Sequence, residues 1–140
     1  MPRLPAIGRV LRYVWAAPCT VVGLCLAAPA LLFGGGLRVV AGVIEVAVSV
    51  HAEPNVFLRL LPFNAITFGH VVITSTEAEL HRLRAHEHEH VRQYEKWGAL
   101  FFVAYPGASL WEWLRGRRPY WDNCFEIEAR ASETNEMRGA

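Results

Sequence analysis

Apolar positions along the chain change period several times, and each change marks an element. No charge lies between Arg12 and Arg38, and Tyr13–Phe33 is apolar almost throughout. As a helix that segment would run ~31 Å, which matches a hydrocarbon core of ~30 Å, so it predicts a transmembrane helix. Tyr13 and Trp15 suit its interfacial belt, and Pro18 and Pro29 lie towards its ends, where a membrane span tolerates them. The competing reading is a cleaved signal peptide, with Arg3, Arg9 and Arg12 as n-region and Ala28-Pro29-Ala30 as cleavage site. The apolar stretch is longer than an ordinary h-region, which favours an anchor. The three N-terminal arginines, set against Arg38 and Glu45, predict a cytoplasmic N-terminus with the rest of the chain extracytoplasmic.

After Gly34-Gly35-Gly36, the Val- and Ile-rich runs Leu37–Val40 and Val43–Val50 flank Ala41-Gly42 and predict a β-hairpin. His51–Asn64, with Pro54 and Pro62, reads as a loop carrying a short apolar patch at Val56–Leu61. Ala65–Thr74 reads as a third strand. Thr76 is an N-cap, with Glu77 and Glu79 in the first turn, for a helix that runs to Trp97 and stops at Gly98. A second apolar stretch, Ala99–Leu114, is interrupted by Pro106-Gly107, which predicts a kinked helix or two short ones. Its uncharged part, Trp97–Trp111, makes only ~22 Å of helix, too short to cross a bilayer. It is expected to pack on the domain or lie in the interface, with Trp111 and Trp113 near the headgroups. Arg115–Asn123 is a polar loop and Cys124–Ala131 a last helix. The expected architecture is α+β, with a membrane anchor in 1–36, one compact domain in 37–131 built on a short antiparallel sheet, and a disordered tail in 132–140.

Composition narrows the function classes. Hydrophobic residues make up 53% and charged residues 19%, with mean hydropathy +0.20, which excludes disorder, a coiled coil and a collagen-like chain. The formal net charge is +1 and no basic stripe with interleaved aromatics occurs, so no nucleic-acid partner is expected. Cys19, Cys25 and Cys124 form no Cys-x-x-Cys pair, which removes zinc ribbons, thioredoxin motifs and disulfide scaffolds.

The chemistry concentrates in the Thr76–Trp97 helix, where His86-Glu87-x-x-His90 has the zincin pattern. At 100° per residue His86 and His90 lie about 40° apart, so both imidazoles can reach one metal ion, as Zn²⁺ requires. Glu87 falls at about 100°, on the flank where Leu83 and Tyr94 make the helix apolar. His88, at about 200°, shares the outer face with His81, and the two read as a solvated pair. A third ligand is sought in Asn123–Ala129, where Glu126 and Glu128 stand at the start of a helix, with Cys124 and Asp122 as rivals. Tyr120, Tyr105 and His70 are candidate donors to a developing oxyanion.

His86-Glu87-x-x-His90 followed by Glu126-x-x-Ala129 resembles the gluzincin metallopeptidases, especially small membrane-associated ones whose second motif reads Glu-x-x-Ala-Asp. The wider runs His86–Gly98 and Pro119–Ala129 look like a small uncharacterised bacterial zincin-like family, and the likeness covers about residues 65 to 131. It implies a minimal zincin-like domain of short sheet, metal-binding helix and two further helices. It also implies Zn²⁺ held by His86, His90 and Glu126, Glu87 as general base, and a peptide or protein substrate that pairs with the strand before the metal helix. Cys124 replaces a proline of the pattern, and Arg130 stands where an acidic residue is expected as outer partner of a ligand histidine. Competing readings from another class are a noncatalytic membrane protein whose metal site, closed by Cys124 or Glu128, only holds helices together, and a pseudoenzyme that binds a partner.

Overall fold

A computed structural model of the chain describes residues 6–49 and 64–139. The fold is α+β: a helix, a four-stranded mixed sheet and three further helices. Helix α1 spans Ala6–Leu32, and its Ile7–Leu32 segment is long and apolar enough to cross a membrane. Strands β1 (Gly36–Val40) and β2 (Val43–Ser49) form the expected hairpin. The expected loop His51–Asn64 lies, but for Asn64, outside the described residues.

The single strand expected at Ala65–Thr74 is instead two, β3 (Ala65–Phe68) and β4 (Val71–Thr76), folded on themselves at Gly69, whose φ is +58°. The sheet is correspondingly not the expected antiparallel one. Its order is β1-β2-β4-β3, with antiparallel hairpins at both sides and a parallel β2–β4 pair between them. Two-residue turns close the hairpins, and β3, which starts beside Thr74 and runs antiparallel to β4, makes the return that the parallel pair needs.

Alternation assigns the two sheet faces. Val46, Val71 and Ile73 pack with Ala27 of α1, while Val43 and Val72 pack with Leu80 and Val91 of α2 (Glu77–Trp97) on the other face. α1 approaches so closely that a Cβ on Gly23 would stand 2.7 Å from the Val71 Cβ. α2 starts as its sequence dictates: the Thr76 hydroxyl accepts from the Glu79 amide at 3.2 Å, and the helix stops at Gly98. A 3-10 turn, Gly98–Leu100, leads into α3 (Phe101–Leu114), which keeps Pro106 inside one helix and does not break into two. Helix α4 spans Cys124–Gly139, so the tail expected to be disordered from 132 is helical. Its polar composition hides what holds it: the Ser132 hydroxyl donates to the Ala85 carbonyl of α2 at 3.3 Å, and Glu133 meets His86.

The β1–β2 turn carries a correctable strain. Ala41 and Gly42 both have positive φ, 51° and 85°, the signature of a turn that suits Asn-Gly. An L-residue other than Asn or Asp costs about 1 kcal/mol there. Ala41→Asn is expected to raise the thermal midpoint by a few degrees, measured by circular dichroism, and an unchanged or lower midpoint would contradict the turn assignment.

Candidate metal centre

α2 aims one stripe of side chains at α4. His86 and His90 lie one turn apart and are both nearly buried, and their Nε2 atoms stand 3.2 Å from one another. From the start of α4, Glu126, only 2% exposed, brings Oε2 to 3.2 Å from His86 Nε2 and Oε1 to 3.3 Å from His90 Nε2. The three side chains offer donor atoms that all lie within 4.8 Å of one another, so the cluster can hold a metal ion.

The outer partners fix which nitrogens face inward. Gln93 Nε2 donates to the Phe125 carbonyl at 2.9 Å and to Glu128 Oε2 at 3.1 Å, which turns its Oε1 towards His90 Nδ1 at 2.8 Å. His90 therefore carries its proton on Nδ1 and presents an Nε2 lone pair to the centre. Glu133 Oε1 lies 3.2 Å from His86 Nδ1, an ion-pair contact whose charge favours a proton on that nitrogen. Two imidazole lone pairs and a carboxylate then converge without a donor among them. Glu126 Oε2 is buried with no hydrogen-bond partner, and Arg130 Nη1, at 3.9 Å, is beyond hydrogen-bond reach. A cation satisfies this arrangement, so the donor set fits a metal.

The electrostatics agree. Burial alone would raise the Glu126 pKa, but the His86 and His90 rings beside it and the Tyr105 hydroxyl hold it well below the carboxylate range. Burial opposes charging His90, yet the neighbouring Glu126 and Glu87 carboxylates raise its pKa above the ordinary value. Both shifts describe a place built for positive charge.

Glu87, 6% exposed, stands beside the centre, and the Thr67 hydroxyl of β3 donates to its Oε2 at 2.7 Å. Its Oε1 has no protein hydrogen bond among the described residues. A cleft of 530 Å³ opens here, walled by β3, by Phe101, Phe102 and Tyr105 of α3, and by Tyr120. Tyr120 is half-exposed, and burial, followed by the nearby Glu126 charge, pushes its hydroxyl up to about 12, so it stays a donor at neutral pH. The Tyr105 hydroxyl is already spent on Glu126 Oε1 at 2.6 Å. His70 is outside the cleft wall, stacked on Tyr13 with ring centroids 4.0 Å apart and bonded to Glu95.

Of the rival third ligands, Glu128 is turned to Gln93, Asp122 pairs with Arg118, and Cys124 is exposed. The solvated His81–His88 pair is corrected in one member: His81 is exposed, but His88 Nε2 sits 2.8 Å from the wholly buried Glu45. Sequence reasoning missed Thr67, Gln93 and Glu133. Signals existed for two of them, since Gln93 follows His90 by three positions and Glu133 follows Glu126 by two helical turns, each on the same face as its lead. The acidic partner lacking at Arg130 is thus supplied one turn later. The chain matches no protein-family model, no curated protein and no solved structure.

Proposed function

We propose that the protein is a membrane-attached zinc metallopeptidase of gluzincin type. The observation that carries this reading is the unpartnered Glu126 oxygen facing two inward imidazole nitrogens, with Glu87 and an open cleft alongside. Two imidazoles and one carboxylate suit Zn²⁺, which when bound would polarise a carbonyl and acidify a water. The chain's own residues supply the remaining work. Glu87 accepts a proton at Oε1 and returns it to the leaving amine nitrogen, while Thr67 holds Oε2 and fixes the carboxylate plane. Tyr120 donates to the scissile carbonyl oxygen as charge develops there. Among the described strands β3 is one of the two at the sheet's edges and lines the cleft, which suits backbone pairing with an extended peptide.

A purely structural metal site would be closed by a fourth protein ligand. Among the described residues no further His, Cys, Asp or Glu joins the cluster, and the cleft reaches it, which supports the catalytic reading. α1 supports an anchor over a cleaved signal: its Ala16, Cys19 and Ala27 are wholly buried against the rest of the fold, so removing it would strip the sheet.

Elemental analysis of the purified protein is expected to give about one zinc per chain. His86→Ala should lose it, whereas His88→Ala, which faces Glu45, should keep it. Unchanged zinc in His86→Ala would end the proposal.

A further inference from the structure

The layers of the fold sort its surface by polarity. α1 is the outermost layer on one side of the sheet, and α2 and then α4 form the other side. Outward on α1, Val10, Val21 and Leu32 are each more than half exposed. Leu37 and Val39 of β1, in register with Val46 and Ile44, continue the apolar surface on the same sheet face and are also more than half exposed. Arg38, between them, points to the opposite face and pairs with Glu77. On α2's outer side Arg82 and Arg92 are about 60% exposed, each paired to a neighbouring glutamate of the same helix.

α2 also runs back alongside α1 over the same length. Arg12, near the start of α1, meets Glu95 at 3.1 Å near the end of α2, and Arg38, just past α1, meets Glu77 at the start of α2. The middle of α2, where Glu87 sits, is therefore level with the middle of α1, whose Ala27 end packs on the opposite sheet face while Ala16 and Cys19 pack directly with Tyr94, Phe101 and Phe125. If α1 crossed a bilayer in this fold, the charged outer face of α2 would stand at hydrocarbon depth. Charged side chains facing lipid are what membranes exclude. Laid flat, the same molecule puts its apolar layer in lipid and its charged layer in water.

The geometry points to an in-plane seat: the outward face of α1, with Leu37 and Val39, lies in one leaflet of a bilayer, and the His86–His90–Glu126 cluster stands on the aqueous side. The site then acts on polypeptide at the membrane surface and not on segments inside the bilayer. This inference rests on reading α1 as the membrane-attached element.

Val10, Val21 and Leu32 make the test sharp, because they share one stripe within about 40° and follow one another at ~16 Å along the helix. Each is replaced by a single labelled cysteine in the full chain with Cys19, Cys25 and Cys124 replaced by alanine. The protein is reconstituted in phosphatidylcholine–phosphatidylglycerol vesicles, and label depth is read by quenching with lipids brominated at different acyl positions. An in-plane seat gives all three labels the same shallow depth. A crossing helix puts Val21 at the bilayer centre with Val10 and Leu32 shallow, which overturns the seat but leaves the anchor reading intact. Protein that stays in the supernatant unquenched overturns both. Neither readout depends on metal or on peptidase activity.

Discussion

Glu87→Gln is expected to lower peptide hydrolysis by about a hundredfold to ten-thousandfold, the range for loss of a general base, while zinc content and thermal midpoint stay at the wild-type level. The structure gives the reason for that separation. Glu87 is not among the three side chains whose donor atoms converge, so the exchange removes no ligand. A glutamine is nearly isosteric, and its carbonyl oxygen can still accept from the Thr67 hydroxyl that now holds Oε2. What is lost is an anionic oxygen able to take a proton beside the centre. The measurement is cleavage of a fluorogenic peptide library, with elemental analysis and a melt on the same preparation. If the variant lost its zinc, Glu87 would be a ligand and the catalytic assignment would fail.

Much of α2 was legible in the sequence because its signals are local. Thr76, Glu79 and Gly98 act within a turn of the helix ends, and His86 and His90 share a face by spacing alone. The β1–β2 hairpin was legible for the same reason, through Ala41-Gly42 between two branched runs. The β3–β4 hairpin was not. Both faces of β4 are buried, so Val71–Ile73 shows no alternation, Ala65–Thr74 reads as one strand, and only Gly69 marks the reversal. The mixed sheet followed from that miss, since one strand fewer leaves no parallel pair to find.

The candidate site divides the same way. Its inner members belong to motifs, but the side chains that orient them are recruited across the fold. Thr67 reaches Glu87 from a strand, and Glu133 reaches His86 from a stretch whose composition looks like a solvated tail. α4 forms there because two of its polar residues find partners on α2, a tertiary contact that overrides composition. His88 was misjudged for the complementary reason. The helical wheel correctly turns it away from His86 and His90, but the far side of α2 is covered by the sheet, where Glu45 waits.

That far side yields the second large effect: Glu45→Ala is expected to destabilise the fold by about 3 kcal/mol, the lower part of the range for breaking a buried charged pair. Glu45 is wholly buried on β2, and Arg84 grips it with two hydrogen bonds, Nε at 2.8 Å and Nη2 at 2.9 Å, while His88 sits at 2.8 Å. These bonds tie the middle of the sheet to the helix that carries His86 and His90, so the variant should also weaken zinc retention without touching a ligand. For a chain of this length the loss corresponds to roughly 10 °C in thermal midpoint. Acid should imitate the mutation. Burial alone would raise the Glu45 pKa, but the Arg84 and His88 bonds outweigh it and hold the carboxyl below its ordinary value. A carboxyl depressed in the folded state contributes stability above its unfolded pKa of ~4.3, and that contribution is lost as pH falls through the lower folded value. Wild type and Glu45→Ala melts should therefore differ most near neutral pH and converge in acid. Equal midpoints at pH 7, or a gap that widens below pH 4, would show that the Glu45–Arg84–His88 cluster does not secure α2 to the sheet.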